Sequence, residues 1–289
     1  MWRGTLRSRY SAARSGLRCY NRASRPPGEL EWHLRVLFFG DIVGRPGRGG
    51  VASVIRDWSK RFQPDIVIAN GENAAGGIGI TPSIARDILG LGVRVLTLGN
   101  HAWQKREVYE YLDSEPCILR PANMPPGVPG RGVGEYSAGR QPLAVLNLCG
   151  RVFVGEYDDP FRCVDQLLQQ VQARCVLVDF HAETSSEKQA FAWYVDGRVS
   201  AVVGTHTHVQ TADERVLPGG TAYITDVGMC GPQDSVIGMD KDIVLRKFTT
   251  QMPARFEVAN SEPVVCAVVL EIEDESGRAV SIERLQWRG

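Results

Sequence analysis

Histidine is concentrated in three short segments of this chain. Four of the five histidines lie in them, at His101, His181, His206 and His208. Each segment follows an apolar run that is typical of a buried strand. Imidazole is the commonest neutral metal ligand, and random scatter would rarely place it after several strands. The distribution therefore predicts a metal centre assembled at strand ends.

Oxygen donors occupy the same kind of position. Asp41 ends the apolar run at residues 36–40, and Glu72 and Asn73 follow the run at residues 66–71. In open α/β sheets, ligands bind at the carboxyl ends of strands. We therefore expect carboxylate, amide and imidazole donors to meet at one edge. This mixture of donors suits iron, manganese or zinc.

The candidate ligands outnumber those that one ion needs. A tetrahedral ion takes four ligands, so two ions that share a bridging carboxylate form the economical model. Such two-metal sites clamp the attacking and leaving oxygens of a phosphoryl displacement. His206 and His208 would address the cluster together, since side chains two apart in an extended segment point to one side. The seven candidates are Asp41, Glu72, Asn73, Asn100, His181, His206 and His208.

Strands alternate with amphipathic helices from about Leu34 onward, which predicts an α/β fold. Thr81 and Pro82 are typical of a helix N-cap and first turn. The segment Thr184-Ser185-Ser186-Glu187 fits a capping box at the start of a later helix. Another helix is predicted near residues 164–173 by its apolar spacing.

Two stretches are predicted to be loops, at residues 116–134 and 228–238, because they are rich in glycine or proline and lack periodicity. The chain then closes with strand-like runs, which predicts an antiparallel ending on a mixed sheet. These runs cover residues 254–258, 263–272 and 279–287.

Charge is divided unevenly along the chain. The first 28 residues hold seven of the 33 basic residues and no acid, which leaves 26 basic residues against 33 acidic ones, a net charge of about −7. We therefore predict an Arg-rich, disordered extension over residues 1–32 and one domain over residues 33–289. If these residues are a disordered extension, or if the true translation start lies further downstream, we expect a cytoplasmic protein. If they are an import signal, as their Arg-rich composition also allows, we expect a mitochondrial protein.

Composition excludes several other classes. Seven cysteines without a Cys-x-x-Cys spacing fit neither a disulfide framework nor a zinc ribbon. The sequence lacks a long apolar stretch, so we expect no membrane span. The mildly acidic body does not indicate stable binding to nucleic acid. A homo-oligomer is compatible with all of these features.

In chain order, the ligand segments resemble the metallophosphoesterase superfamily and are most similar to its YmdB-like branch. The resemblance spans about Arg35 to the C-terminus. It implies a four-layer α/β/β/α sandwich of two mixed sheets flanked by helices. It also implies a phosphodiesterase for 2′,3′-cyclic and 3′,5′-cyclic nucleotides. The strings that carry it are GDIVGRPGR, NGENAAGG, TLGNHAW, DFHAE, VVGTHTHVQTAD and TDVGMCGP.

The resemblance also implies a role for each site residue. A hydroxide between two ions would attack phosphorus, and His101 would protonate the departing ribose oxygen as general acid. Glu72 would bridge both ions. The ligands of one ion would be Asp41, Asn73 and His208. The ligands of the other would be Asn100, His181 and His206.

The chain departs from the wider superfamily in two places. Asp41 is not followed two residues later by a histidine, and Glu72-Asn73 stand where an aspartate is usual. One nitrogen ligand is thereby replaced by oxygen, so the cluster should favour iron or manganese. Ala102 and Trp103 follow His101 where an acid is often found, so the group that orients the His101 ring is not identifiable from sequence.

The sequence indicates substrate-binding residues less specifically than it indicates metal ligands. Arg45, Arg120 and Arg151 are predicted near strand ends, where each could bind phosphate or form a surface salt bridge. Glu183 could orient a ligating histidine or could be a loop residue before the next helix.

Two other functions stay open at this point. The same cluster could serve a phosphomonoesterase or protein phosphatase. The protein could also be a non-catalytic, metal-dependent regulator of RNA metabolism, although such a module would not need a proton donor at His101.

Overall fold

The computed structural model describes residues 33–289, so the predicted extension at residues 1–32 lies outside the described residues. The described chain contains fourteen strands, six α-helices and a short 3₁₀ helix at Arg106–Val108. The strands are β1 (His33–Phe39), β2 (Asp41–Ile42), β3 (Ile66–Asn70), β4 (Val95–Thr97), β5 (Ile118–Leu119), β6 (Val133–Ala138), β7 (Gln141–Cys149), β8 (Cys175–His181), β9 (Ala201–Thr205), β10 (Arg215–Val216), β11 (Ala222–Ile224), β12 (Met229–Pro232), β13 (Pro263–Glu273) and β14 (Ala279–Arg288). The helices are α1 (Gly44–Phe62), α2 (Pro82–Gly90), α3 (Tyr109–Ser114), α4 (Pro160–Leu168), α5 (Ser185–Val195) and α6 (Lys241–Thr250).

The strands form two mixed sheets. The first has the order β2-β12-β13-β1-β3-β4-β5, with β14 also paired to β13. Within it, β1, β3, β4 and β5 run parallel, while β13 is antiparallel to β1. The second has the order β10-β11-β9-β8-β7-β6, and its two edge strands β6 and β10 are antiparallel to their neighbours. The antiparallel ending that the sequence predicts is therefore present in β13 and β14.

Apolar side chains pack the sheets against each other and against the helices. Phe38 and Ile68 of the first sheet share a buried cluster with Leu177 of the second. Helix α1 packs on the outer face of the first sheet, where Trp58 stacks on Phe39 with ring centroids 5.6 Å apart. Helix α5 covers the second sheet in the same way. The predicted four-layer α/β/β/α sandwich is confirmed. Among residues 33–289, no helix has both the length and the apolar composition to cross a bilayer.

Polar contacts join the two sheets where their parallel strands end. The Asn70 side chain at the end of β3 donates from Nδ2 to Asp179 Oδ2 on β8, over 3.1 Å. Thr97 at the end of β4 donates to the same oxygen over 2.5 Å. The carboxyl ends of both sheets are thus held together, and every candidate ligand lies at or just after the end of one of their strands.

Three sequence predictions of local structure need correction. Helix α4 covers Pro160–Leu168 instead of residues 164–173, because Asp159 caps its first turn and Pro160 opens it. Residues 254–258 form no strand; Val258 makes only an isolated bridge to Met239. The predicted loops contain the short strands β5 and β12, whose pairing comes from neighbours in the sheet and not from their own composition.

The predicted capping box is half formed. Thr184 Oγ1 accepts a hydrogen bond from the Glu187 N–H over 3.4 Å, as an N-cap should. The Glu187 carboxylate, however, accepts the backbone N–H groups of Arg151 over 2.9 Å and Val152 over 3.1 Å. Glu187 therefore fixes the loop after β7 instead of closing the helix start.

Replacing Glu187 by alanine should cost more stability than losing the helix cap. Glu187 is buried, and the change leaves two backbone donors without their charged acceptor, a loss of about 2–3 kcal/mol in the free energy of unfolding. Thr184→Ala should cost about 1 kcal/mol. Urea denaturation measures both, with the exposed Glu283→Ala as the control; a Glu187→Ala effect no larger than that control would contradict this role.

Candidate metal centre

The structure brings all seven predicted ligands together at the carboxyl ends of five strands. Each ligand lies at or just after the end of a strand of the first or second sheet, so the backbone delivers it to the seam between the sheets. Four are fully or almost fully buried, which is uncommon for charged and polar side chains without a partner of opposite charge. These four are Asp41, Glu72, Asn73 and His181.

His181 is the centre of one group of donors. Its Nε2 atom lies 3.0 Å from Asn100 Oδ1, 3.1 Å from Glu72 Oε1 and 3.0 Å from His206 Nδ1. Donor atoms of Glu72, His181 and His206 all lie within 4.8 Å of one another, as the ligands of one ion must. This arrangement is compatible with the predicted set Asn100, His181 and His206 with Glu72.

A second group lies around His208. Its Nε2 atom is 3.1 Å from Asn73 Nδ2 and 3.8 Å from Asp41 Oδ1. Asn73 Nδ2 in turn donates to Glu72 Oε1 over 3.1 Å, so Glu72 touches both groups, as a bridging ligand should. Asn73 presents its amide nitrogen here, and a 180° rotation of the amide would present the oxygen that a cation requires.

Two observations, besides the types of donor atom, support cation binding at this centre. Asp41 Oδ1 is buried and has no hydrogen-bond partner among the described residues, which is costly unless a positive charge lies beside it. Gly99 has no side chain, and any other residue at this position would place a Cβ atom among the donors. A Cβ atom there would lie 2.3 Å from Glu72 Oε2 and 2.4 Å from His181 Nε2.

Burial and mutual charge shift the proton affinities of these groups. Burial raises the pKa of Asp41 to about 6, although His208 and His181 oppose the shift. Burial also favours neutral His181, but the Glu72 carboxylate outweighs it and raises the His181 pKa to about 9. Burial would raise the Glu72 pKa, yet His181 and His101 hold it well below its usual range. Burial and His181 together lower the His206 pKa to about 3.

A buried relay sets the tautomer of His181. Thr205 donates its single hydroxyl proton to Asp179 Oδ1 over 2.6 Å, so its oxygen is left to accept the Nδ1–H of His181 over 2.9 Å. Nε2 is therefore the His181 nitrogen that loses its proton when the ring becomes neutral, and its lone pair then faces the other donors. His208 is fixed in the same sense, because its Nδ1 donates to the Ile237 carbonyl over 2.8 Å.

A buried ion pair shapes the loop that carries His206 and His208. Lys188 Nζ donates to Asp226 Oδ2 over 2.7 Å, and the same oxygen accepts the backbone N–H of Thr207 over 3.0 Å. His206 and His208 have φ values of 100° and 67°, so the segment is not extended as predicted. Both rings still face the cluster, because Asp226 holds the residue between them.

Sequence reasoning missed Asp179, Lys188, Thr205 and Asp226. Asp179 and Asp226 stand inside the quoted strings DFHAE and TDVGMCGP, two residues before His181 and just after the β11 strand. A carboxylate inside or beside an apolar strand is the signal that would have pointed to them. Lys188 gives no such signal, since its helix pattern alone places it at the surface.

Asn73 is the group that orients the His101 ring. Its Oδ1 atom lies 2.9 Å from His101 Nδ1, and Glu72 Oε1 lies 3.4 Å from the same nitrogen. The His101 backbone N–H donates to Glu72 Oε2 over 3.1 Å. The imidazole side chain is 28% exposed, so it reaches both the cluster and solvent.

The three candidate arginines have different surroundings. Arg45 is exposed in the first turn of α1. Arg120 is buried and donates to the carbonyls of Pro121 and Pro129, so it supports the loop after β5. Arg151 lies 3.4 Å from the Asp159 carboxylate.

Comparison with known proteins gives close relatives over most of the chain. A family model described as YmdB-like protein matches residues 37–285. A 2′,3′-cyclic-nucleotide 2′-phosphodiesterase from Bacillus subtilis is 48% identical over 254 residues, which cover 87% of this chain and 96% of that protein.

Solved structures extend the comparison to the fold. A hypothetical protein from Thermus thermophilus has a TM-score of 0.84 at 45% identity, covering 88% of this chain and 99% of its own. A structure described as a novel phosphatase from Mycoplasma pneumoniae has a TM-score of 0.86 at 31% identity, covering 90% of this chain and 95% of its own. The NAD nucleotidase of Haemophilus influenzae, with a TM-score of 0.55 at 10% identity over 89% of this chain and 56% of its own, shares the fold alone.

Gly99→Ala should disrupt the centre, because the added methyl group overlaps Glu72 and His181. We expect loss of bound metal and a fall of about 1–3 kcal/mol in the free energy of unfolding. Elemental analysis and urea denaturation measure these effects. Gly49→Ala in α1 is the matched control, since its Cβ meets nothing within 4 Å and should add about 0.5–1 kcal/mol. Wild-type metal content in Gly99→Ala would contradict the placement.

Metal uptake by the metal-free protein should release protons. At pH 7 His181, with a pKa of about 9, carries a proton that a metal ion must displace, and near pH 6 Asp41 adds another. Apparent affinity for Mn²⁺ should therefore rise as the pH rises from about 6 to about 9. Calorimetric titration in buffers of different ionisation enthalpy counts the protons; an affinity that falls over this range would contradict the assignment.

Proposed function

The chain belongs to the YmdB-like protein family and is a phosphoric ester hydrolase, and from this premise we propose that it hydrolyses 2′,3′-cyclic nucleotides at a dinuclear metal centre. The observation that carries the proposal is the meeting of seven donors beside the partly exposed ring of His101. The name of the Bacillus subtilis relative supports the substrate class.

The two groups of donors divide the ligands between two ions. Asp41, Asn73 and His208 would hold one ion, with the orphaned Asp41 oxygen as its anionic ligand. Asn100, His181 and His206 would hold the other, and Glu72 would bridge them. When bound, the ions supply a lowered pKa for water and positive charge at the phosphoryl oxygens. Iron is the ion we favour, with manganese or zinc as alternatives, because every ligand is an oxygen or an imidazole.

His101 would act as the general acid. Asn73 covers Nδ1 of this ring, and with its amide oxygen turned to an ion it would donate N–H to Nδ1, so the proton available to a substrate would lie on Nε2. Water would lose one proton to solvent and add to phosphorus, the bond from phosphorus to one ribose oxygen would break, and that oxygen would take the proton of His101, which solvent would then restore. Asn73 would thereby bind an ion through its oxygen and hold the His101 ring through its amide nitrogen.

His101→Ala should separate the proton donor from the metal site. We expect metal content to stay at the wild-type level while turnover of 2′,3′-cyclic nucleotides falls roughly 10²- to 10⁴-fold. His33→Ala on β1 is the matched control and should leave both unchanged. Metal analysis and steady-state kinetics on the same anaerobically purified sample measure the two effects.

The same assay tests the substrate class. The panel contains 2′,3′-cyclic nucleotides, 3′,5′-cyclic nucleotides and a phosphomonoester, each with matched metal. Preference for the phosphomonoester would favour the phosphatase activity that the Mycoplasma pneumoniae relative is described with. Two bound ions without turnover on any substrate would favour a regulatory role instead.

A further inference from the structure

The three ligand histidines are held from outside by three different acceptors. His181 and His208 both turn Nδ1 outward, to Thr205 and to the Ile237 carbonyl. Both therefore present Nε2 to the cluster. His206 is reversed: its Nδ1 lies 3.0 Å from His181 Nε2, and its Nε2 points away from the cluster.

The outward nitrogen of His206 meets Glu183. The distance from His206 Nε2 to Glu183 Oε2 is 3.0 Å, and the Glu183 side chain is 48% exposed. Among residues 33–289, no other oxygen lies within hydrogen-bond or ion-pair distance of a His206 ring nitrogen. The His206 ring also contacts His181, whose ring lies edge-on with centroids 4.7 Å apart.

An ionised carboxylate accepts hydrogen bonds and donates none. The Glu183 oxygen lies 3.0 Å from Nε2, and its negative charge favours the tautomer of His206 that carries the proton on Nε2 over one that turns a lone pair toward the carboxylate. Nδ1 then keeps a lone pair, and that nitrogen lies 3.0 Å from His181 Nε2. Acceptors behind a ligating histidine fix its tautomer and orientation and raise its strength as a ligand.

The position of Glu183 in the chain makes this contact specific to one ion. Glu183 stands two residues after His181, just beyond the end of β8. One short segment thus supplies a ligand and also the acceptor that orients a second ligand of the same ion. Within the part of the chain that the structure describes, Glu183 forms no hydrogen bond or ion pair with the ligands of the other ion, Asp41, Asn73 and His208.

We propose that Glu183 is a positioning residue that holds His206 with Nδ1 toward the cluster and so sets the affinity of the ion bound with Asn100 and His181. The inference rests on the proposed two-ion centre. It assigns Glu183 no contact with the reacting atoms. It also predicts that the two ions respond differently to a change at this one side chain.

The test is a titration of the metal-free protein with Mn²⁺, followed by calorimetry. Glu183→Ala should weaken one of two binding events by about 10- to 100-fold and leave the other within about twofold. Glu183→Gln keeps an oxygen that can accept from Nε2–H, so it should lose less affinity than Glu183→Ala. Glu283→Ala, an exposed carboxylate on β14 of the first sheet, is the control and should change neither event.

Two further variants identify the affected ion. In a His208→Ala background, which removes a ligand of the other ion, Glu183→Ala should still weaken the ion that remains. In an Asn100→Ala background it should add little, since both changes act on one ion. The ¹⁵N NMR shifts of the His206 ring give a readout that a general loss of stability would not move: the metal-free wild type should show the proton on Nε2, and Glu183→Ala a mixture of tautomers.

Unchanged affinities and an unchanged tautomer in Glu183→Ala would overturn this inference and leave the two-ion centre standing. Equal weakening of both ions would also overturn it, because the effect would not be specific to His206. A wild-type protein that binds a single ion would overturn the two-ion proposal, and this inference with it.

Discussion

The whole centre depends on one buried carboxylate, that of Asp179, which accepts hydrogen bonds from both sheets. Asn70 and Thr97 reach it from the first sheet and Thr205 from the second. A buried charge is costly unless several donors surround it, so its site forms only when both sheets are in register. Burial raises its pKa, while His181 and the three donors oppose that shift. Through Thr205, the same group fixes His181, the first of the candidate ligand histidines.

A second constraint is the concentration of buried charge around this point. Asp41 and Glu72 are both fully buried within one small volume, and one oxygen of Asp41 lacks a donor among the described residues. Burial of these charges destabilises the empty site. Cations would offset this effect, since two carboxylates and three imidazoles face one space. The buried ion pair Lys188–Asp226 supports the site indirectly, because Asp226 shapes the loop that carries the candidate ligands His206 and His208.

Local structure was predictable where a pattern had its own physical cause. The alternation of apolar strands and amphipathic helices predicted an α/β fold, and Thr81 caps α2 as expected. Predictions were wrong where a neighbour overrode the local pattern. Glu187 belongs to a capping box by sequence, yet two backbone donors of the loop after β7 compete for its carboxylate. The strand β12 has a Gly and a Pro in four residues and exists because β2 and β13 pair with it.

The sequence alone determined which donors could form the centre and in what order, because residue type and position after a strand are written in the chain. It could not determine which nitrogen of each histidine faces inward. That choice depends on acceptors far along the chain, such as Ile237 for His208. It could not identify Asn73 as the partner of His101 either. Those contacts exist only once two sheets have packed, since packing alone brings the strand ends within hydrogen-bond distance.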